Sequence, residues 1–121
     1  MDKETTIEEL KKIVLKFRDD RDWKQFHNPK DAAIALITES AELLEHFRFR
    51  TLEEIKEYLN DPKNKEEVAH ELADVLSFVV ILADEMDIDI TECLIKKTKI
   101  QEKKYPIHLS KGSNKKYTEL Q

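Results

Sequence analysis

The sequence predicts an all-α fold, and three observations predict it. Its 121 residues include one glycine and three prolines, too few breakers to supply the tight turns of a sheet protein. Apolar residues make up 40% of the chain and charged residues 39%, interleaved so that helices with wet outer faces are favoured. At Thr6-Ile7-Glu8-Glu9 and Thr51-Leu52-Glu53-Glu54 a threonine is followed three residues later by a glutamate, just ahead of an apolar run. Each is a capping box, in which the threonine hydroxyl accepts a backbone N–H and the glutamate reaches back.

The elements follow in order. Ile7, Leu10, Ile13, Val14 and Phe17 fall at helical spacing, which predicts a first helix running to about Asp20. Asp22 to His27 is less regular. Asn28-Pro29 offers an N-cap and a proline at the first helical position, so a second helix is expected from Pro29 to about Phe47. Phe49-Arg50 leads into the second capping box and a short helix that stops near Asn60-Asp61-Pro62. A long helix is expected over about Lys65 to Met86, a turn at Asp87-Ile88-Asp89, and a last long helix over about Ile90 to Lys104. Tyr105-Pro106 ends it. The domain organisation read from this pattern is one helical domain over residues 1–106 and an irregular C-terminal tail over 107–121.

Charge and cysteine content bound the function. There are 26 acidic against 21 basic residues, a net charge of −5, which argues against binding a nucleic-acid polymer. A nucleotide is not excluded, because metal ions can meet its phosphates in place of lysines. Cys93 is the only cysteine, so no internal disulfide forms and a reducing compartment is expected. Met1-Asp2-Lys3-Glu4 lacks the apolar run of a signal peptide, and no apolar stretch reaches the roughly 18 residues of a membrane span. The expectation is a soluble cytoplasmic protein with no membrane partner.

Helix geometry then singles out four carboxylates. At about 100° per residue, Glu39 shares a face with Ala32, Ala35, Leu36, Leu43 and His46, and Glu42 stands beside it. In the fourth helix Glu71 projects with Val68, Val75, Phe78 and Leu82, and Asp74 follows one turn on. The opposite face of that helix carries Leu72, Leu76 and Val80, so it is apolar nearly all round and expected to be buried on most sides. Ionised carboxylates on such faces cost several kcal/mol each without a counter-charge. No lysine or arginine on these faces supplies one, whereas divalent cations would. Hard oxygen donors suit magnesium. No His/Cys cluster of the zinc type is present, and neither pair is the Glu-x-x-His of a ferritin-like di-iron site. Against this stands a plainer reading: with 26 acidic residues such spacings also arise by chance on solvated faces.

Glu39-x-x-Glu42, 28 intervening residues, then Glu71-x-x-Asp74 resembles the EXXE…EXXD metal signature of the MazG-like all-alpha nucleoside triphosphate pyrophosphohydrolases. Further segments extend the resemblance toward the dCTP pyrophosphatases of that group. They are Arg21-Asp22-Trp23-Lys24-Gln25-Phe26-His27-Asn28-Pro29, Glu71-Leu72-Ala73-Asp74-Val75, Tyr105-Pro106-Ile107-His108-Leu109 and Lys116-Tyr117-Thr118-Glu119-Leu120. The similarity spans roughly residues 14 to 120.

The resemblance implies a four-helix-like bundle, assembled as a tetramer of paired dimers. It implies hydrolysis of a (deoxy)nucleoside triphosphate, dCTP-like, to the monophosphate and pyrophosphate. Glu39, Glu42, Glu71 and Asp74 would hold Mg²⁺, with Mn²⁺ as a substitute, and Glu42 would orient or deprotonate the water. Substrate contacts carry over to Trp23, His27, Phe49, Phe78, Lys97, Gln101 and Tyr105, with Lys97 and Tyr105 directed at the phosphates. Three of these depart from the family pattern: Gln101 stands for Asn, Phe49 for Trp and Phe78 for Tyr. None is a metal ligand, so the departures bear on base and sugar preference. Two other readings compete: a non-catalytic helical interaction module with its carboxylates in interface salt bridges, and a hydrolase of another phosphoanhydride or of phosphoribosyl-ATP.

Overall fold

The computed structural model describes all residues, Met1–Gln121, and the fold is entirely helical. Six α-helices follow in order: α1 Ile7–Asp19, α2 Pro29–Glu45, α3 Leu52–Asn60, α4 Pro62–Glu85, α5 Ile90–Lys104 and the one-turn α6 Ile107–Ser110. The chain divides into two compact units, Met1–Ile88 with α1 to α4 and Asp89–Gln121 with α5 and α6.

Helix ends form where the local chemistry puts them. Both capping boxes are made: Thr6 and Thr51 accept from the amides of Glu9 and Glu54, whose carboxylates accept from the two threonine amides in return. Asn28 caps α2 by accepting from the Asp31 amide at 2.9 Å. Asp61 both ends α3 and caps α4, its carboxylate accepting from the Lys63 amide at 2.9 Å. That cap explains why α4 starts at Pro62 and not near Lys65, since a proline in the first turn lacks only an N–H that has no helical partner. The second helix stops at Glu45, two residues short of the expected Phe47, and Phe49 in the turn that follows has φ +65°.

Within the first unit, α4 is the central helix, and α1, α2 and α3 all pack on it. Val80, Ile81 and Ala83 of α4 are buried, as is Ala32 of α2. Within the single chain α4 is covered on only part of its circumference: Leu72 is 58% and Leu76 is 43% exposed. On α2, Ile34, Ile37 and Leu44 also stand open, at i, i+3 and i+10 along one stripe.

In the second unit α5 runs Ile90–Lys104 as expected, capped by Asp89, and Tyr105 ends it. The segment read from sequence as an irregular tail contains α6 and a 3-10 turn over Tyr117–Glu119. Pro106 starts α6, with the amides of Leu109 and Ser110 both bonded to its carbonyl at 3.0 Å. Gly112 at φ +76° allows the reversal after α6 that a side chain would resist. Tyr105 and Tyr117 meet edge to face, 6.0 Å between ring centres.

Candidate metal centre and its adjoining cavity

Carboxylate oxygens of Glu39, Glu42 and Glu71 lie within 4.8 Å of one another. Glu39 and Glu42 are one turn apart on α2, and Glu71 faces them from α4, so the tight packing of these two helices draws the three together. Glu39 and Glu71 are half-buried, Glu42 is exposed. No lysine or arginine pairs with any of the four signature carboxylates; the ion pairs of the chain lie elsewhere. Glu39 Oε2 and Glu71 Oε2 are buried without a hydrogen-bond partner.

The electrostatic consequence is direct. Burial, followed by the neighbouring Glu42 carboxylate, pushes Glu39 above the ordinary carboxylate range, and Asp74 and Glu71 add to the shift. Burial and then Glu42 raise Glu71 likewise, with Asp74 adding and the nearby His46 opposing. Asp74 therefore belongs to the same electrostatic group, although it stands outside the closest three and is exposed. His46, the C-cap of α2, places Nδ1 2.8 Å from the Tyr58 hydroxyl of α3, which fixes its ring beside the cluster. Crowded oxygens with raised proton affinity and unspent lone pairs fit a hard divalent cation. A divalent metal centre suits this donor set, and the absence of thiolate or paired imidazole ligands makes zinc a poor match.

A cavity of about 350 Å³ adjoins the cluster through Asp74. Phe17, Trp23, His27 and Phe78 form its aromatic wall, with Val14 and Ile81 behind. Trp23 and Phe17 pack edge to face at 5.7 Å, and the Arg21 guanidinium lies 3.7 Å from the Phe17 ring centre, so the wall is braced from outside. Trp23 is 45% exposed, an open indole and not a core residue. His27 Nδ1 is buried without a partner.

The structure thus brings Trp23, His27, Phe78 and Asp74 to one cavity. It does not bring Phe49 there: that ring is 90% exposed, with only the Arg48 guanidinium over it at 4.4 Å. Lys97 and Gln101 are exposed on α5 in the second unit, and Tyr105 is half-buried at its C-cap. Sequence reasoning missed Arg18, which lines the cavity and is 3% exposed. A signal existed. Arg18 is four residues beyond Val14, on the apolar stripe of α1, as out of place there as Glu39 is on α2.

The model of the MazG-like family matches residues 34–120. The dCTP pyrophosphatase 1 of Mus musculus is 37% identical over 117 residues, covering 97% of this chain and 69% of the relative. The Homo sapiens protein of the same name is 36% identical with the same coverage. Among solved structures, a pyrophosphatase from Archaeoglobus fulgidus DSM 4304 superposes with a TM-score of 0.76 at 40% identity, over 83% of this chain and 92% of that one. Fold, site and relatives together define an all-helical hydrolase. The chain belongs to the MazG-like family. The interaction-module reading falls with that result. No helix is long and apolar enough to cross a membrane.

Proposed function

We propose that the protein hydrolyses a (deoxy)nucleoside triphosphate, of the dCTP type, to the monophosphate and pyrophosphate with Mg²⁺. One observation carries this reading: buried, partnerless oxygens of Glu39 and Glu71, crowded with Glu42, beside an aromatic cavity large enough for a nucleobase. The relatives named for dCTP support the pyrimidine preference.

Glu39, Glu42, Glu71 and Asp74 would hold Mg²⁺, with Mn²⁺ as a substitute. When bound, the ion supplies positive charge to the phosphate oxygens and lowers the pKa of a coordinated water. Glu42, the exposed member of the close three, accepts the proton of the attacking water. Trp23 and Phe78 stack on the base and exclude water, and His27 turns its unpaired Nδ1 to the nucleotide. Lys97, Gln101 and Tyr105 of the second unit are further candidates for substrate contact, Lys97 and Tyr105 with phosphate, on sequence resemblance alone. Hydrolysis opens the bond between the α- and β-phosphates, with water supplying the oxygen and the proton.

The active form is a homo-oligomer, a tetramer of paired dimers. The open apolar stripes on α2 and α4 support this, because monomers seldom leave Ile34, Ile37, Leu72 and Leu76 exposed together. A cytoplasmic site of action is supported by the free Cys93.

A panel of nucleoside triphosphates with pyrophosphate detection tests the reading. Mg²⁺-dependent pyrophosphate release, fastest with dCTP-like pyrimidines, is expected. Absence of release from every nucleotide would sink it. Light scattering on Ile37→Glu and Leu72→Glu tests the assembly, with a smaller species expected for both.

A further inference from the structure

Arg18 is the one charged residue buried in the chain. Nε donates to Asp19 Oδ1 and Nη1 to Asp84 Oδ2, each at 2.8 Å, and Glu85 Oε1 lies 3.7 Å from Nη1. These contacts fix the plane of the guanidinium and leave Nη2, with its two N–H groups, outside the hydrogen bonds the side chain makes. A tie between α1 and α4 alone would not require Arg18 to line the cavity, yet it does, one turn after Val14. No other cation lines that cavity. Ser77 spends its hydroxyl proton on the Ala73 carbonyl at 3.0 Å, and Asp74 accepts only. Phe17 and Phe78 offer a base only stacking surface, and His27 and Trp23 add ring nitrogens; Arg18 is the charged donor of the cavity, held in place by its own ion pairs, and a fixed donor of that kind discriminates between bases.

We infer that Arg18 is a specificity-determining residue of this cavity, its free Nη2 donating to an exocyclic oxygen of the bound base and so favouring oxo-bearing bases over adenine, which has none. The inference rests on the nucleotide reading of the cavity given above. The carboxylates of Asp19 and Asp84 serve it by holding the donor in one orientation before the ligand arrives.

The test compares kcat/KM for dCTP and dATP, alongside titrations with dCMP and dAMP followed by fluorescence of Trp23, the chain's sole tryptophan. Removing Arg18 alone leaves the half-buried Asp84 carboxylate without its cation, so the first variant is Arg18→Met with Asp84→Met, which removes the ion pair between α1 and α4 as a unit. Arg18→Lys is the second; it keeps the charge for Asp84, loses the planar second amino group, and serves if the methionine pair does not fold. In either, kcat/KM for dCTP and affinity for dCMP should fall on the order of ten- to a hundredfold, as for one charge-assisted hydrogen bond, with dAMP binding unchanged. Asp84→Asn, which keeps the donor, should retain the preference. Parallel losses for both bases, or an intact preference without Arg18, would overturn the assignment. If no nucleotide is hydrolysed by the wild-type protein, catalysis fails as a reading, while the dCMP and dAMP titrations still decide on Arg18.

Discussion

Two clusters of acidic side chains lie in the first unit, and they are built in opposite ways. Around Arg18, the carboxylates of Asp19 and Asp84 have their counter-charge in the chain, at 2.8 Å. Around Glu39, the carboxylates face one another with no cation among them. The proton affinities move accordingly. Burial by itself would push the Arg18 guanidinium down, but its hydrogen bonds to Asp19 and Asp84 more than reverse that, and Asp19 is lowered by the same contact. Glu39 and Glu71 are raised. The first cluster is finished by folding; the second is left for an incoming cation to finish.

Substitutions that remove charge should therefore act oppositely in the two places. The largest effect falls on catalysis: Glu42→Gln and Asp74→Asn should each cut turnover by more than the roughly 10–100-fold typical of outer-sphere changes, with the helical circular dichroism intact. Steady-state pyrophosphate release measures it, and normal activity in both variants removes the site. Next comes Arg18→Met, which leaves the half-buried carboxylates of Asp84 and Glu85 without their cation and should destabilise the fold by about 1.5–3 kcal/mol in urea unfolding. Adding Asp84→Met should recover most of that loss. If the single and double variants are equally unstable, Arg18 matters for its packing and not for its pairing.

A smaller effect of the opposite sign is expected at the second cluster. Glu39→Gln should stabilise the metal-free protein, by about 0.5–2 kcal/mol, because it deletes one of the crowded charges. The pH dependence has a matching sign. With Glu39 and Glu71 raised in the folded state, that state holds more protons than the unfolded chain between their ordinary value of 4.5 and their raised values. Stability from these groups is thus highest below that window, falls as pH rises through it, and stays reduced above. Asp19, lowered by Arg18, runs the other way: its contribution is present above its ordinary value of 3.8 and lost as pH falls through the folded one. Melting curves of wild-type and Glu39→Gln between acid and neutral pH, without divalent metal, should converge at the acid end. Parallel curves would mean that Glu39 carries no penalty.

The sequence made much of this legible, for physical reasons that differ by element. Capping boxes are local, so the starts of α1 and α3 were readable to the residue. The carboxylate faces were readable because helical periodicity alone decides which side of α2 or α4 a residue takes. Exposure was not. Leu72 and Leu76 satisfy the pattern of a buried helix but stand open in the single chain, because periodicity records what a face will tolerate and not what covers it. The short α6 was missed because one turn carries too little pattern to distinguish it from a loop. Arg18 was not legible because a lone cation on an apolar stripe ordinarily carries its charge out to water on its long stem. Its partner Asp84 lies 66 positions away, a separation across which no local rule reaches.

Titration of Mg²⁺ into the nucleotide-free protein, by calorimetry on wild-type and on Glu39→Gln/Glu71→Gln, tests the contrast between the two clusters most directly. Saturable uptake by the wild-type protein, accompanied by a rise in melting temperature and abolished in the double variant, is the predicted result. Equal, non-saturating uptake by both would contradict it, and would mean that these side chains tolerate their mutual repulsion without any ion between them.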